Sequence, residues 1–140
     1  MKVLYLNAMC ATADIPTGGI FITRRMEAAR QNGVEIVPVN IYVEDVGLLK
    51  WLKKRIFHMP LQSIPLKQQL SIKYTNVGVP YTVFDAICWM LDGKVGQKVV
   101  TRKFRKSILN EVECDIIHAH WFWPYAGEIA YWISQIKEIP

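Results

Sequence analysis

Long hydrophobic runs are missing from this chain. No stretch approaches the roughly 18 consecutive apolar residues that a membrane-spanning helix needs, and the longest run free of Asp, Glu, Lys and Arg covers only residues 116–127. Cysteine is scarce too. Cys10, Cys88 and Cys114 are odd in number and far apart, which argues against a secreted disulfide framework and for a reduced compartment. Neither a G-x-G-x-x-G dinucleotide fingerprint nor a P-loop ending in G-K-[ST] occurs. No Ser or Cys stands in an elbow-like nucleophile motif, and no nucleic-acid-binding motif, repeat or low-complexity tract is present. Residues 2–6 imitate the start of a signal peptide, but Asn7 interrupts them, and a first strand accounts for them better. What remains is globular. With 140 residues, 51% of them hydrophobic and 21% charged, the chain can bury the core of one domain without disulfides or a structural metal. The expectation is a soluble, cytoplasmic domain of α/β size.

Positive charge is unevenly placed. The net charge is +5 overall, but residues 1–47 carry −1, residues 48–106 carry +10 and residues 107–140 carry −4. Such asymmetry bears on partners rather than on fold. Within the basic segment, residues 48–59 read as a helix with Leu48, Leu52, Ile56 and Met59 on one stripe and Lys50, Lys53 and Lys54 largely opposite. Trp51 and Phe57 could enter a lipid surface while Lys50, Lys53 and Lys54 meet anionic headgroups. A solvated helix on the flank of the domain is the plainer alternative. Nucleic acid is not expected as a partner, since no motif accompanies the charge.

Along the chain, residues 2–9 are apolar and β-prone and read as a buried strand. Residues 14–19 form a loop broken by Pro16, Gly18 and Gly19. Residues 21–31 contain good helix formers and no interior breaker, and Asn32-Gly33 stops them. Residues 34–41 give a second strand in which Pro38 suggests an edge or a bulge. Strand, glycine loop, helix and strand make a βαβ unit, and therefore a parallel sheet. Pro60, Pro65 and Pro80 punctuate a stretch, 60–83, to which the pattern assigns no element. Two helices are expected over 84–92 and 97–112, a strand over 115–120, a loop over 121–125 and a last helix over 126–137.

Three places carry chemistry. Gly18 and Gly19 lie between a strand and a helix, where glycine lets backbone approach a ligand and free N–H groups at the helix start can meet an anion. A tight turn that merely needs glycine explains them equally. His118 and His120 are two apart on a strand, so both project from one face at its C-terminal end, where open α/β sheets place ligands. They read as hydrogen-bonded strand-end residues, as a metal pair with Cys114, or as an active-site pair that binds a sugar or stabilises developing charge. The Cys-x3-His-x-His spacing matches no common zinc signature. Trp121 and Trp123, with Phe122 and Tyr125, crowd the next loop as a lid over the core or a platform for a sugar face or a lipid.

Together, Pro16-Thr-Gly-Gly-Ile-Phe21 leading into a helix, Asn32-Gly-Val-Glu-Ile36, and Asp115-Ile-Ile-His-Ala-His-Trp121 with Pro124 and Gly127 resemble the N-terminal region of family 4 glycosyltransferases. The resemblance covers most of 1–47 and 114–140; residues 48–113 match nothing sharply. It implies a GT-B architecture, two Rossmann-like halves facing across a cleft, of which this chain is the acceptor-side N-terminal half with a parallel sheet and helices on both faces. It further implies sugar transfer from a nucleotide-diphosphate sugar to a polysaccharide, glycolipid or similar acceptor, with retention and no obligatory metal or other cofactor. Bacterial relatives of this kind often work at the cytoplasmic face of the membrane. Position by position, Gly18 and Gly19 border the donor diphosphate, His120 is the active-site histidine, and His118 supports it. The family's next strand and its donor-binding half, with a Glu-x7-Glu region, are absent from residues 1–140. On this reading the 140 residues are an incomplete domain, inactive alone and prone to self-association through an exposed sheet edge. The alternative is a non-catalytic Rossmann-like module that binds a ligand or a partner chain.

Overall fold

Short apolar segments alternate with helices to give a parallel sheet in the computed structural model, which describes residues 1–84, 87, 113–120 and 126–140. The elements are β1 (Lys2–Asn7), α1 (Ile20–Gln31), β2 (Glu35–Asp45), α2 (Gly47–Arg55), β3 (Gln68–Gln69), β4 (Ile72–Lys73), β5 (Thr75–Tyr81), β6 (Ile116–His120) and α3 (Ala126–Lys137). Four strands form one sheet in the order β5-β2-β1-β6, every pair parallel. The helices expected over 97–112, and over 84–92 apart from Phe84 and Ile87, lie outside the described residues, as does the 121–125 loop.

The period of two along β1 sends its side chains to opposite faces. Leu4 and Leu6 join Val39, Ile41 and Val79 under Ile129 and Ile133 of α3. Val3 and Tyr5 pack with Ile22 and Met26 of α1 and with Ile72 and Tyr74 around the β3–β4 hairpin. Each fully buried aliphatic side chain here contributes on the order of 1.5–3 kcal/mol. A parallel sheet needs both faces covered, and both are. The chain has the expected α/β, Rossmann-like arrangement.

Two prolines sit where a missing N–H costs little. β2 is an inner strand, yet its first half is paired only with β1: Pro38 lies opposite Tyr5, while pairing with β5 starts at Val39. Pro80 lies in β5, whose one pairing among the described residues is with β2. At the other side of the sheet, the Ile117 N–H of β6 donates to the Pro140 carbonyl at 2.8 Å, so residue 140 lies along that strand.

α2 departs from the expected helix in length and in rotation. It ends at Arg55 rather than 59, and His58 takes a left-handed backbone with φ 47°. The Leu48–Leu52–Ile56–Met59 stripe does not face the core: Leu48, Ile56 and Met59 are exposed, while Leu49, Leu52 and Lys53 are the half-buried side. The cause is electrostatic. Asp45, whose side chain is 2% exposed, holds Lys53 Nζ at 2.7 Å and accepts the Gln62 N–H at 3.3 Å. A buried carboxylate needs such partners, and satisfying it turns Lys53 inward and Leu48 outward.

Candidate functional site at the carboxyl edge of the sheet

A polar row crosses the sheet near its carboxyl edge. Strand register places Asn76 beside Asn40, Asn40 beside Asn7 and Asn7 beside His120. Asn7 and Asn40 are buried, and buried amides require partners. Asn7 Nδ2 donates to Asn40 Oδ1 at 3.3 Å, Asn40 Nδ2 to Asn76 Oδ1 at 3.0 Å, and Asn76 Nδ2 to the Pro65 carbonyl at 2.7 Å. Asn7 also closes on the loop that follows it: its Oδ1 accepts the Met9 N–H at 2.9 Å, and its Nδ2 donates to the Met9 carbonyl at 3.1 Å.

That loop explains the paired glycines. Gly19 begins α1 with a left-handed φ of 64°, and a Cβ there would stand 2.0 Å from the Met9 carbonyl oxygen. A Cβ on Gly18 would stand 2.6 Å from the Cys10 carbonyl oxygen. Backbone therefore packs on backbone at both positions. Gln69 of β3 clamps the same turn, its Nε2 donating to the carbonyls of Pro16 at 3.0 Å and Gly18 at 3.1 Å, while its Oε1 accepts from the Thr23 hydroxyl. Thr23 in turn shares a hydrogen bond with Tyr74 at 2.7 Å. The N–H of Gly18 donates to Ile15 and that of Ile20 to Thr17, so those two N–H groups are already engaged.

The histidines share a face with Tyr5. Their three rings stack: Tyr5 to His118 at 4.8 Å, Tyr5 to His120 at 5.5 Å and His118 to His120 at 4.2 Å between centroids. His118 is exposed and His120 buried. Among the described residues, His120 Nε2 is a buried polar side-chain atom without a hydrogen-bond partner. Burial above all, then His118 and Arg25, push the His120 pKa down to about 4. Burial and Arg25 lower that of His118 as well. His120 is therefore neutral at pH 7. Of the roles expected for it, binding a hydroxyl by a hydrogen bond fits, and supplying positive charge does not. The charge of the Arg25 guanidinium is felt by both imidazoles, lowering their pKa values.

Cys114 does not join the histidines. It precedes β6 and packs with the core on the α3 face, whereas His118 and His120 lie with Tyr5 on the other. Asp115 intervenes, tied to Lys2 through both main chain and side chain, and this break removes the shared parity expected from spacing. Among the described residues no three His, Cys, Asp or Glu side chains converge as a metal site would require. Cys10, beside the glycine loop, has its thiol pushed up to about 12 by burial, which keeps it protonated and makes it a poor nucleophile.

Of the five residues expected at a lipid surface, Lys50, Trp51, Lys54 and Phe57 are exposed, while Lys53 is bound to Asp45. Trp121 and Trp123 lie outside the described residues. Tyr5, Asn7, Arg25, Asn40, Asn76 and Gln69 belong to the site without standing in any motif. One signal was available for Asn7 and Asn40: a polar residue closing or interrupting an apolar strand marks the sheet's ligand-facing edge.

These features define an α/β, Rossmann-like domain with a polar edge on its α1 face. No helix among the described residues is long and apolar enough to cross a membrane. Comparison with protein-family models, curated proteins and solved structures gives no match.

Proposed function

We propose that this chain is the acceptor-side half of a retaining glycosyltransferase that moves a sugar from a nucleoside-diphosphate sugar to a glycan or lipid-linked acceptor. The observation that carries the reading is the buried Nε2 of a neutral His120, which has no hydrogen-bond partner among the described residues, set beside Asn7 at the carboxyl edge. A buried polar atom left open in this way suits a ligand hydroxyl. In this reading His120 holds a sugar hydroxyl, and His118 and Tyr5 fix the ring by stacking. The Gly18–Gly19 turn borders the donor diphosphate. When the anomeric C–O bond breaks, the electron pair passes to the departing diphosphate, and Arg25 supplies positive charge near it. The acceptor oxygen forms the new bond to the anomeric carbon and gives its proton to the departing diphosphate. A second Rossmann-like half holds the nucleotide.

The test uses the native polypeptide, captured from source cells with an antibody raised against residues 1–140 and supplied with UDP-glucose, UDP-galactose, UDP-N-acetylglucosamine or GDP-mannose. Release of nucleoside diphosphate with at least one donor is expected. His120→Ala should lower it at least about 100-fold, as loss of one preorganised hydrogen bond does. His120→Gln, an uncharged group that still hydrogen-bonds, should retain more activity than His120→Ala. No release from any of the four donors, or full activity in His120→Ala, overturns the reading.

A further inference from the structure

Between Val46 and Phe84 the chain contains no Asp or Glu, but it contains Lys50, Lys53, Lys54, Arg55, Lys67 and Lys73. Lys53 is held by Asp45, and among the described residues no ion pair engages Lys50, Lys54 or Arg55. α2 buries none of its residues. Its periodicity places Lys50 and Lys54 along one flank of Trp51, with Arg55 and Leu48 along the other. Trp51 is 52% exposed, and just past the helix end Phe57 is 62% and Met59 54% exposed. Large apolar groups and unpaired cations thus share one outward surface, and the Lys53–Asp45 pair fixes the helix rotation that presents it.

We propose that this surface docks on an anionic phospholipid bilayer, independently of any chemistry at His120. A second copy of the chain fits poorly, because a self-complementary contact would set lysines against lysines. Nucleic acid would accept the cations and stack on Trp51, but would leave Leu48, Ile56 and Met59 facing water. A bilayer meets both halves of the pattern: lysines and Arg55 reach the headgroup charge, Trp51 sits at the interface, and the aliphatic side chains enter the acyl boundary.

The experiment is sedimentation of the purified chain with vesicles of phosphatidylcholine containing about one-third phosphatidylglycerol, and with phosphatidylcholine alone. Binding to the anionic vesicles at low salt is expected, with much weaker binding to the neutral ones and loss at high salt. Lys50→Ala and Lys54→Ala should each weaken partitioning about fivefold, and Trp51→Ala should weaken it as well, with far-UV dichroism and unfolding midpoint unchanged. Lys73→Ala, on β4, should leave binding as it was. Failure to sediment with anionic vesicles at low salt overturns the proposal. So does equal weakening by Lys73→Ala, which would reduce the effect to bulk charge, or binding of single-stranded RNA in preference to vesicles.

Discussion

His120 is an uncharged hydrogen-bonding group throughout the physiological range, because burial holds its pKa near 4. In the unfolded chain the same imidazole titrates near 6.5. Between those values the unfolded state binds the proton and the folded state does not, so acid favours unfolding. Stability from this group is complete above about pH 6.5 and is lost as pH falls towards about 4. His118 shifts in the same direction. Glu27, lowered chiefly by its hydrogen bonds from Ser71, loses its contribution only below about 4.5, a lower window. Urea midpoints at about pH 7 and pH 5 should therefore fall markedly in the wild type and less in His120→Gln; parallel falls would contradict a buried neutral imidazole. Glycine at 19 and at 33 makes a second residue-scale contrast. Both have positive φ, but a Cβ on Gly33 meets nothing within 4 Å. Gly33→Ala should cost about 1–2 kcal/mol in chemical denaturation, the strain of a left-handed alanine. Gly19→Ala adds collision with the Met9 carbonyl and should cost more than about 3 kcal/mol. Equal losses would mean that the loop moves aside freely.

At the scale of elements, the asparagine row ties three strands and two loops into one hydrogen-bonded unit. Asn40 stands in its middle, donating to Asn76 and accepting from Asn7. Asn40→Ala leaves a buried donor on Asn7 and an acceptor on Asn76 without partners, at about 1–3 kcal/mol each. Its denaturant midpoint should fall accordingly; a loss below about 0.5 kcal/mol would mean that water replaces the side chain. Element by element, legibility in the sequence followed burial. β1, α1, the first part of β2, β6 and α3 are buried on one face or two, and their apolar periodicity marked them. β2 continues to Asp45 rather than 41 because residues 39–45 pair with β5. β5 itself, Thr-Asn-Val-Gly-Val-Pro-Tyr, escaped notice because its glycine and proline read as loop signals, and only an edge position tolerates Pro80. α2 was found but misrotated, since its orientation depends on the ion pair between Asp45 and Lys53, which no hydrophobic pattern encodes.

For the whole molecule, the parallel sheet was legible from the βαβ rhythm, and the carboxyl-edge position of both histidines followed from it. The contents of the site were less so. The stacking of Tyr5 on His118 and His120, the clamp of Gln69 on the glycine turn and the approach of Arg25 all join residues distant in sequence. Spacing along a strand cannot announce them. That distance also has a consequence in time. β1 pairs on one side with β2, 33 residues away, and on the other with β6, 113 residues away. During synthesis at about 5–20 residues per second, β1, α1 and β2 emerge together. The roughly 70 residues between β2 and β6 then take on the order of 4–14 s to appear. Until they do, the free edge of β1 and one side of Tyr5 stay open, and His120 completes the polar row only when the strand that carries it arrives.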